Sequence, residues 1–122
     1  MSSQEFKVTA IKRGFCYLVD MNPPRRSKPG KVRPVIVIQS SDTLAVGSPG
    51  VVVVPLTTQV QASNILRVRV APSSMLQIGK DSDVLLDQIH TIDRSLFIKE
   101  LGPVPEIQMA GVDAGVRFLL NF

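Results

Sequence analysis

The sequence predicts a small, mostly antiparallel β-barrel with one C-terminal helix, and three observations predict it. Short segments rich in β-branched and aromatic residues follow one another, at least five of them, with turn residues between. No helical pattern alternates with them, so the crossovers a parallel sheet requires are missing. A helical pattern occurs only from Pro105 onward.

Each element has its own reason. Residues 1–12 are polar and aperiodic and read as a flexible N-terminal tail, followed by a single domain over 13–122. Residues 15–20 (FCYLVD), 35–39 (VIVIQ) and 51–56 (VVVVPL) are apolar runs bounded by turn residues, as strands buried on both faces would be. Residues 65–70 (ILRVRV) alternate instead: Arg67 and Arg69 point to one side, Leu66, Val68 and Val70 to the other. That is a half-solvated strand whose arginines extend a basic face. Residues 84–92 (VLLDQIHTI) contain another strand after the polar turn 79–83. Pro105 opens the helix, Glu106 suits its dipole, and Ile107, Ala110, Ala114 and Phe118 recur on the face expected to dock. Asp113 and Arg117 have the spacing of an i,i+4 pair. Gly111 and Gly115 each weaken an exposed helix by roughly 1 kcal/mol relative to Ala. The helix should therefore depend on docking, and its glycines allow close packing.

The 122 residues, 44% hydrophobic, suffice for one domain with its own core. One cysteine, Cys16, excludes an intramolecular disulfide and a multi-cysteine zinc site. One histidine, His90, excludes a two-histidine acid/base pair within a chain. The N-terminus lacks the apolar core of a signal peptide, and the longest apolar stretch, 51–56, is far short of the roughly 20 residues that span a bilayer. A cytoplasmic location is expected, with no membrane partner.

The net charge of +4 is unevenly distributed: residues 1–33 carry eight Lys and Arg against two acids, residues 34–122 six against eight. Arg25, Arg26, Lys28, Lys31 and Arg33 fall within nine residues that contain no acid and are interrupted by proline and glycine. Such a loop suits a polyanion, most simply nucleic acid, although a solvated linker has the same composition. Gly47 and Gly50 lie between two strands rather than before a helix and do not form a phosphate loop. Asp81, Asp83 and Asp87 are close enough to suggest magnesium, but they also read as a turn followed by a strand, so no metal or other cofactor is expected. A lone histidine gives no hydrolytic triad.

Four segments carry a more specific signal: RGFCYLVDMNPP (13–24), SKPGKVRPVIVIQ (27–39), VVVVPLTTQ (51–59) and DSDVLLDQIHTIDRS (81–95). In this order they resemble the MazF/PemK family of toxin endoribonucleases, over nearly the whole chain from Arg13 onward. The resemblance implies an SH3-like small barrel of the MazF/PemK/CcdB type and a homodimer neutralised by a small MazE-like antitoxin. It also implies metal-independent cleavage of single-stranded RNA, with the family's catalytic arginine on Arg33 and its catalytic threonine on Thr57. The basic-loop residues Arg25, Arg26, Ser27, Lys28 and Lys31, together with Thr58, Gln59, Gln88 and His90, become the RNA-binding set. The chain departs from the family pattern twice, with Lys28 at a place usually held by a carboxylate and His90 where an arginine is expected. The basic loop holds no aromatic residue, so base stacking there is not expected. A related barrel that poisons a topoisomerase, or that binds RNA without cutting it, is the alternative.

Overall fold

Val, Ile and aromatic side chains pack best on a pleated surface, and the runs of them form the centre of a curled sheet. In the computed structural model, residue 8 and residues 10–21 and 31–122 are described. The strands are β1 (Phe15–Asp20), β2 (Val32–Val37), β3 (Gly50–Thr57), β4 (Arg67–Val70), β5 (Ser82–Leu85), β6 (His90–Asp93) and β7 (Phe97–Pro103). A short helix α1 (Ser41–Ala45) follows β2, and α2 (Glu106–Leu120) ends the fold. The order is β4-β5-β3-β2-β1-β7, with β6 also pairing β3, and every pairing is antiparallel.

The two ends of this path meet through the segment after β4. There the Gln77 amide donates to the Leu101 carbonyl of β7 at 2.7 Å. Gly102 lies so close that a Cβ on it would stand 1.8 Å from the Met75 carbonyl oxygen, and its φ of +117° is a conformation only glycine adopts freely.

Because side chains alternate along a strand, β1, β2 and β3 supply two cores. Cys16, Ile36, Val54 and Leu56 enter one, covered by Val112 and Val116 of α2. Tyr17, Val19, Val35, Val37, Val51 and Val53 enter the other with Ile92 and Phe97. Tyr17 and Phe97 meet edge to face, centroids 5.4 Å apart. Burial pushes the Cys16 thiol up to about 12, so it is a packing group rather than a nucleophile.

The expected strands are present, and several details differ. The strand expected at 35–39 runs from Val32 to Val37, because at its end the Gln39 side chain takes the Val52 amide at 2.9 Å in place of a backbone partner. The segment 84–92 divides into β5 and β6 around a turn in which the Gln88 amide reaches the Leu85 carbonyl. On α2 the buried residues are Val112 and Val116, while Ile107 and Phe118 are 83% and 65% exposed, so the expected docking face is the solvent face. Gly111 and Gly115 explain the rotation: a Cβ on Gly115 would lie 2.1 Å from Leu86 Cδ1, and one on Gly111 3.5 Å from Val68. Asp113 pairs not with Arg117 but with Arg13, at 2.5 Å, and Arg13 also bonds the Ile38 carbonyl, tying the helix to the chain's first turn. Val8 and Ile11, assigned to the tail, pack against the second core, and the Lys12 amide donates to the Tyr17 hydroxyl at 2.8 Å. No described helix is long and apolar enough to cross a membrane.

Asp83 fixes the β4–β5 corner. It is 1% exposed and on β5, and its carboxylate accepts from Arg69 Nε at 2.6 Å, from the Gln61 amide at 2.8 Å and from Arg67 Nη1 at 3.3 Å. Burial alone would raise its pKa. The bonds from Arg69, Gln61 and Arg67 outweigh that and hold it below the ordinary carboxylate value.

Two outcomes follow from this packing. Gly115→Ala should destabilise the fold by about 2 kcal/mol, through overpacking on Leu86, although helix propensity alone would stabilise it by about 1 kcal/mol; urea denaturation gives the sign. A carboxylate with a lowered folded pKa stabilises above its unfolded value of about 4, and that contribution is lost as pH falls through the folded value. Asp83→Asn should therefore lower the urea midpoint at pH 7, and the gap from the parent should narrow as the pH is taken to 3.

Candidate active site

The site is built where β3 changes partners. On its first half β3 pairs β6 through Val53↔His90, and at its end it pairs β5 through Thr57↔Asp83. The opposite edge pairs β2, with Val35↔Pro55. Continuing that register to the next position on the same face sets Arg33 against Thr57. Both side chains extend the face that carries Val35, Pro55 and Val53, and both are half-buried where this core meets solvent.

They line one open groove of about 400 Å³. Lys31 and Met21 border it beside Arg33, Pro55 forms its floor with Leu85, and Gln59, Gln88, His90 and Arg67 complete the wall. Thr57 Oγ1 accepts the Gln59 amide at 3.2 Å, which turns the chain after β3 and leaves the hydroxyl proton for another acceptor. His90 Nδ1 donates to the Gln88 carbonyl at 2.7 Å. A carbonyl only accepts, so Nδ1 holds the proton and Nε2 is the nitrogen that can accept a bond in the neutral ring.

Of the residues expected from sequence, Arg33, Thr57, Lys31, Gln59, Gln88 and His90 are brought together here. Thr58 is exposed on the turn beyond β3 and does not line the groove. Arg25, Arg26, Ser27 and Lys28 lie outside the described residues. Arg67 was expected only to extend a basic face, and it lines the groove because β4 pairs β5 with Arg67 opposite Leu85. Met21, Pro55 and Leu85 carried no chemical signal in the sequence.

The acidic trio does not assemble. Asp83 is buried against two arginines while Asp81 and Asp87 are exposed, and among the described residues no three His, Cys, Asp or Glu side chains converge. The groove thus presents cations and hydrogen-bonding groups, suited to binding a phosphodiester and stabilising charge on it.

The chain is 36% identical over 111 residues to Endoribonuclease MazF of Staphylococcus epidermidis, covering 91% of this chain and 92% of that one. Its fold is similar to that in the MazE-MazF crystal structure (Form-II) from Deinococcus radiodurans, with TM-score 0.74, 21% identity, and 92% and 96% of the two chains covered. An endoribonuclease in complex with its cognate antitoxin, from Mycobacterial species, gives TM-score 0.73 at 21% identity, covering 93% and 97%. Residues 12–120 match the family described as PemK-like, MazF-like toxin of type II toxin-antitoxin system. A curled antiparallel sheet, seven-stranded among the described residues, with a C-terminal helix, a 36% identical endoribonuclease relative and this match over most of the chain place the protein in the PemK/MazF toxin family.

Proposed function

We propose that this toxin endoribonuclease cleaves single-stranded RNA, with mRNA as its cellular target, by metal-independent attack of the 2′-OH, and that Arg33 and Thr57 are its catalytic pair. The observation that carries this is their juxtaposition: 24 positions apart in sequence, each lies two residues beyond the Val35↔Pro55 pair on its strand, and both line one groove.

RNA carries its own nucleophile beside each phosphate. The 2′-oxygen attacks phosphorus, the bond to the 5′-oxygen breaks, and the ends are a 2′,3′-cyclic phosphate and a 5′-hydroxyl. The 2′-OH gives up a proton, and the leaving 5′-oxygen takes one. The enzyme's task is to hold attack in line and to stabilise a doubly charged phosphorane. The planar fork of Arg33 clamps the phosphoryl oxygens and assists the leaving oxygen as a hydrogen-bond donor. Thr57 orients the reacting group by hydrogen bonding. Lys31, Gln59, Gln88 and His90 bind the flanking nucleotides, as do Thr58, Arg25, Arg26, Ser27 and Lys28.

The partners are RNA, a MazE-like antitoxin and a second copy of the chain, with the cytoplasm as the working compartment. Two proteins of similar fold are seen in complex, one with its cognate antitoxin and one as MazE-MazF. Exposed Ile107, Phe118, Leu120 and Phe122 supply apolar surface for self-association.

Arg33→Ala should slow single-turnover cleavage of a defined RNA on the order of 100-fold or more, about 3 kcal/mol, with a smaller change in affinity. Arg33→Lys should not restore it, because a point charge cannot reproduce the fork. Thr57→Val should also slow cleavage. The parental rate should survive EDTA, and cleavage by Arg33→Ala at that rate would remove the assignment. Sedimentation should give twice the 13.3 kDa chain mass at micromolar concentration.

A further inference from the structure

A second cleft of about 280 Å³ adjoins the groove and shares Arg67 with it, lined also by Gln61, Asn64, Arg69 and Asp83. In sequence, Arg67 and Arg69 of this corner read only as a basic face, and spacing grouped Asp83 with Asp81 and Asp87. A carboxylate is costly to bury, and Asp83, 1% exposed, is compensated by three donors. Those donors come from three residues on two elements: Arg67 and Arg69 on β4, and the Gln61 amide on the β3–β4 connection. The same two arginines hold that connection again, Arg67 Nη1 donating to the Gln59 carbonyl at 2.9 Å and Arg69 Nη2 to the Gln61 carbonyl at 2.8 Å.

One carboxylate therefore sets the direction of both guanidinium groups and the course of the loop that carries Gln59 into the groove. Among the described residues, the bonds recorded for Arg67 are made by Nη1 alone, although a guanidinium has five N–H donors. Its other edge remains to meet a ligand in the groove. The local charge is two cations against one anion, which still favours phosphate.

We propose that Asp83 is a positioning residue for RNA: it holds Arg67 on the groove wall, where its guanidinium binds a phosphate next to the scissile one, and directs Arg69 so that the strand continues into the adjoining cleft. This rests on the endoribonuclease assignment of the Arg33 groove. Arg67 and Arg69 contribute to binding, and the bond-breaking step remains with Arg33 and Thr57.

The test measures affinity for a single-stranded RNA made uncleavable by a 2′-deoxy substitution at the scissile nucleotide, alongside the saturated single-turnover rate on its cleavable counterpart. Arg67→Met should weaken affinity about tenfold, the loss of one charge-assisted contact, and lower the salt slope by about 0.7. Its saturated rate should fall by a smaller factor than its affinity. Asp83→Asn should weaken affinity similarly with the arginines present, and change it less than twofold in an Arg67→Met/Arg69→Met background, since a residue acting through others has nothing left to position. A purely structural Asp83 would lower thermal stability without moving the salt slope. If Asp83→Asn does not fold, Arg67→Met alone decides, because it leaves the carboxylate bonded to Arg69 and Gln61. Parental affinity and salt slope in folded Arg67→Met overturn the proposal, as does an Asp83→Asn effect undiminished in the double-arginine background. If the parent fails to cut RNA, or Arg33→Ala cuts at the parental rate, the fault lies with the catalytic assignment instead.

Discussion

The molecule depends on one strand being hydrogen-bonded on both edges while its bonding partner changes on one of them. Val52 directs its amide and carbonyl toward the β2 side, meeting Gln39 and Ile38, so the odd-numbered residues of β3 direct theirs toward β6 and β5. On that side β6 has ended its pairing at Val53 and β5 begins at Leu56. Pro55 stands between them, on the edge where an amide hydrogen would have no strand to meet, which is where a proline is tolerated inside a sheet. The fork between β5 and β6 and the floor of the groove are the same place. Leu85, Gln88 and His90 border the opening because they begin and end the turn that spans it.

How far the sequence discloses this varies with how local the cause is. β1 has the expected limits, Phe15–Asp20, because both its faces are buried and a turn precedes it. The facing of Arg33 and Thr57 was legible only through the motif, since periodicity alone does not say which strands are neighbours. β7 (FIKELGP) was missed because Lys99 and Glu100 interrupt its apolar pattern while β1 supplies its partners across two register irregularities. The face of α2 was misread because apolar residues lie on both sides of it. What selects the buried side is the close approach of Gly111 to Val68 and Gly115 to Leu86, a property of the neighbour rather than of the helix.

Electrostatics divides along the same line. The basic segment was conspicuous in composition, yet the two cations that share a buried carboxylate, Arg67 and Arg69, come from a strand with no excess of charge around it. A buried aspartate one strand away determines their setting. Spacing in sequence had grouped Asp83 with Asp81 and Asp87. Strand pairing groups it with Arg69 instead, directly opposite in the β4/β5 ladder.

The pairing of β1 with β7 bears on how the chain reaches this state. Phe15 finds its partner at Pro103, and Arg13 finds Asp113 in the final helix. An edge formed by residues on the N-terminal side of the domain thus waits for residues on its C-terminal side. Closing so long a loop must precede any gain from the contacts it permits, which slows folding. On the ribosome β2 and β3 can pair early, and the barrel closes only when most of the chain has emerged. Until then one edge of β1 offers unpaired amides and carbonyls to whatever extended segment is nearest.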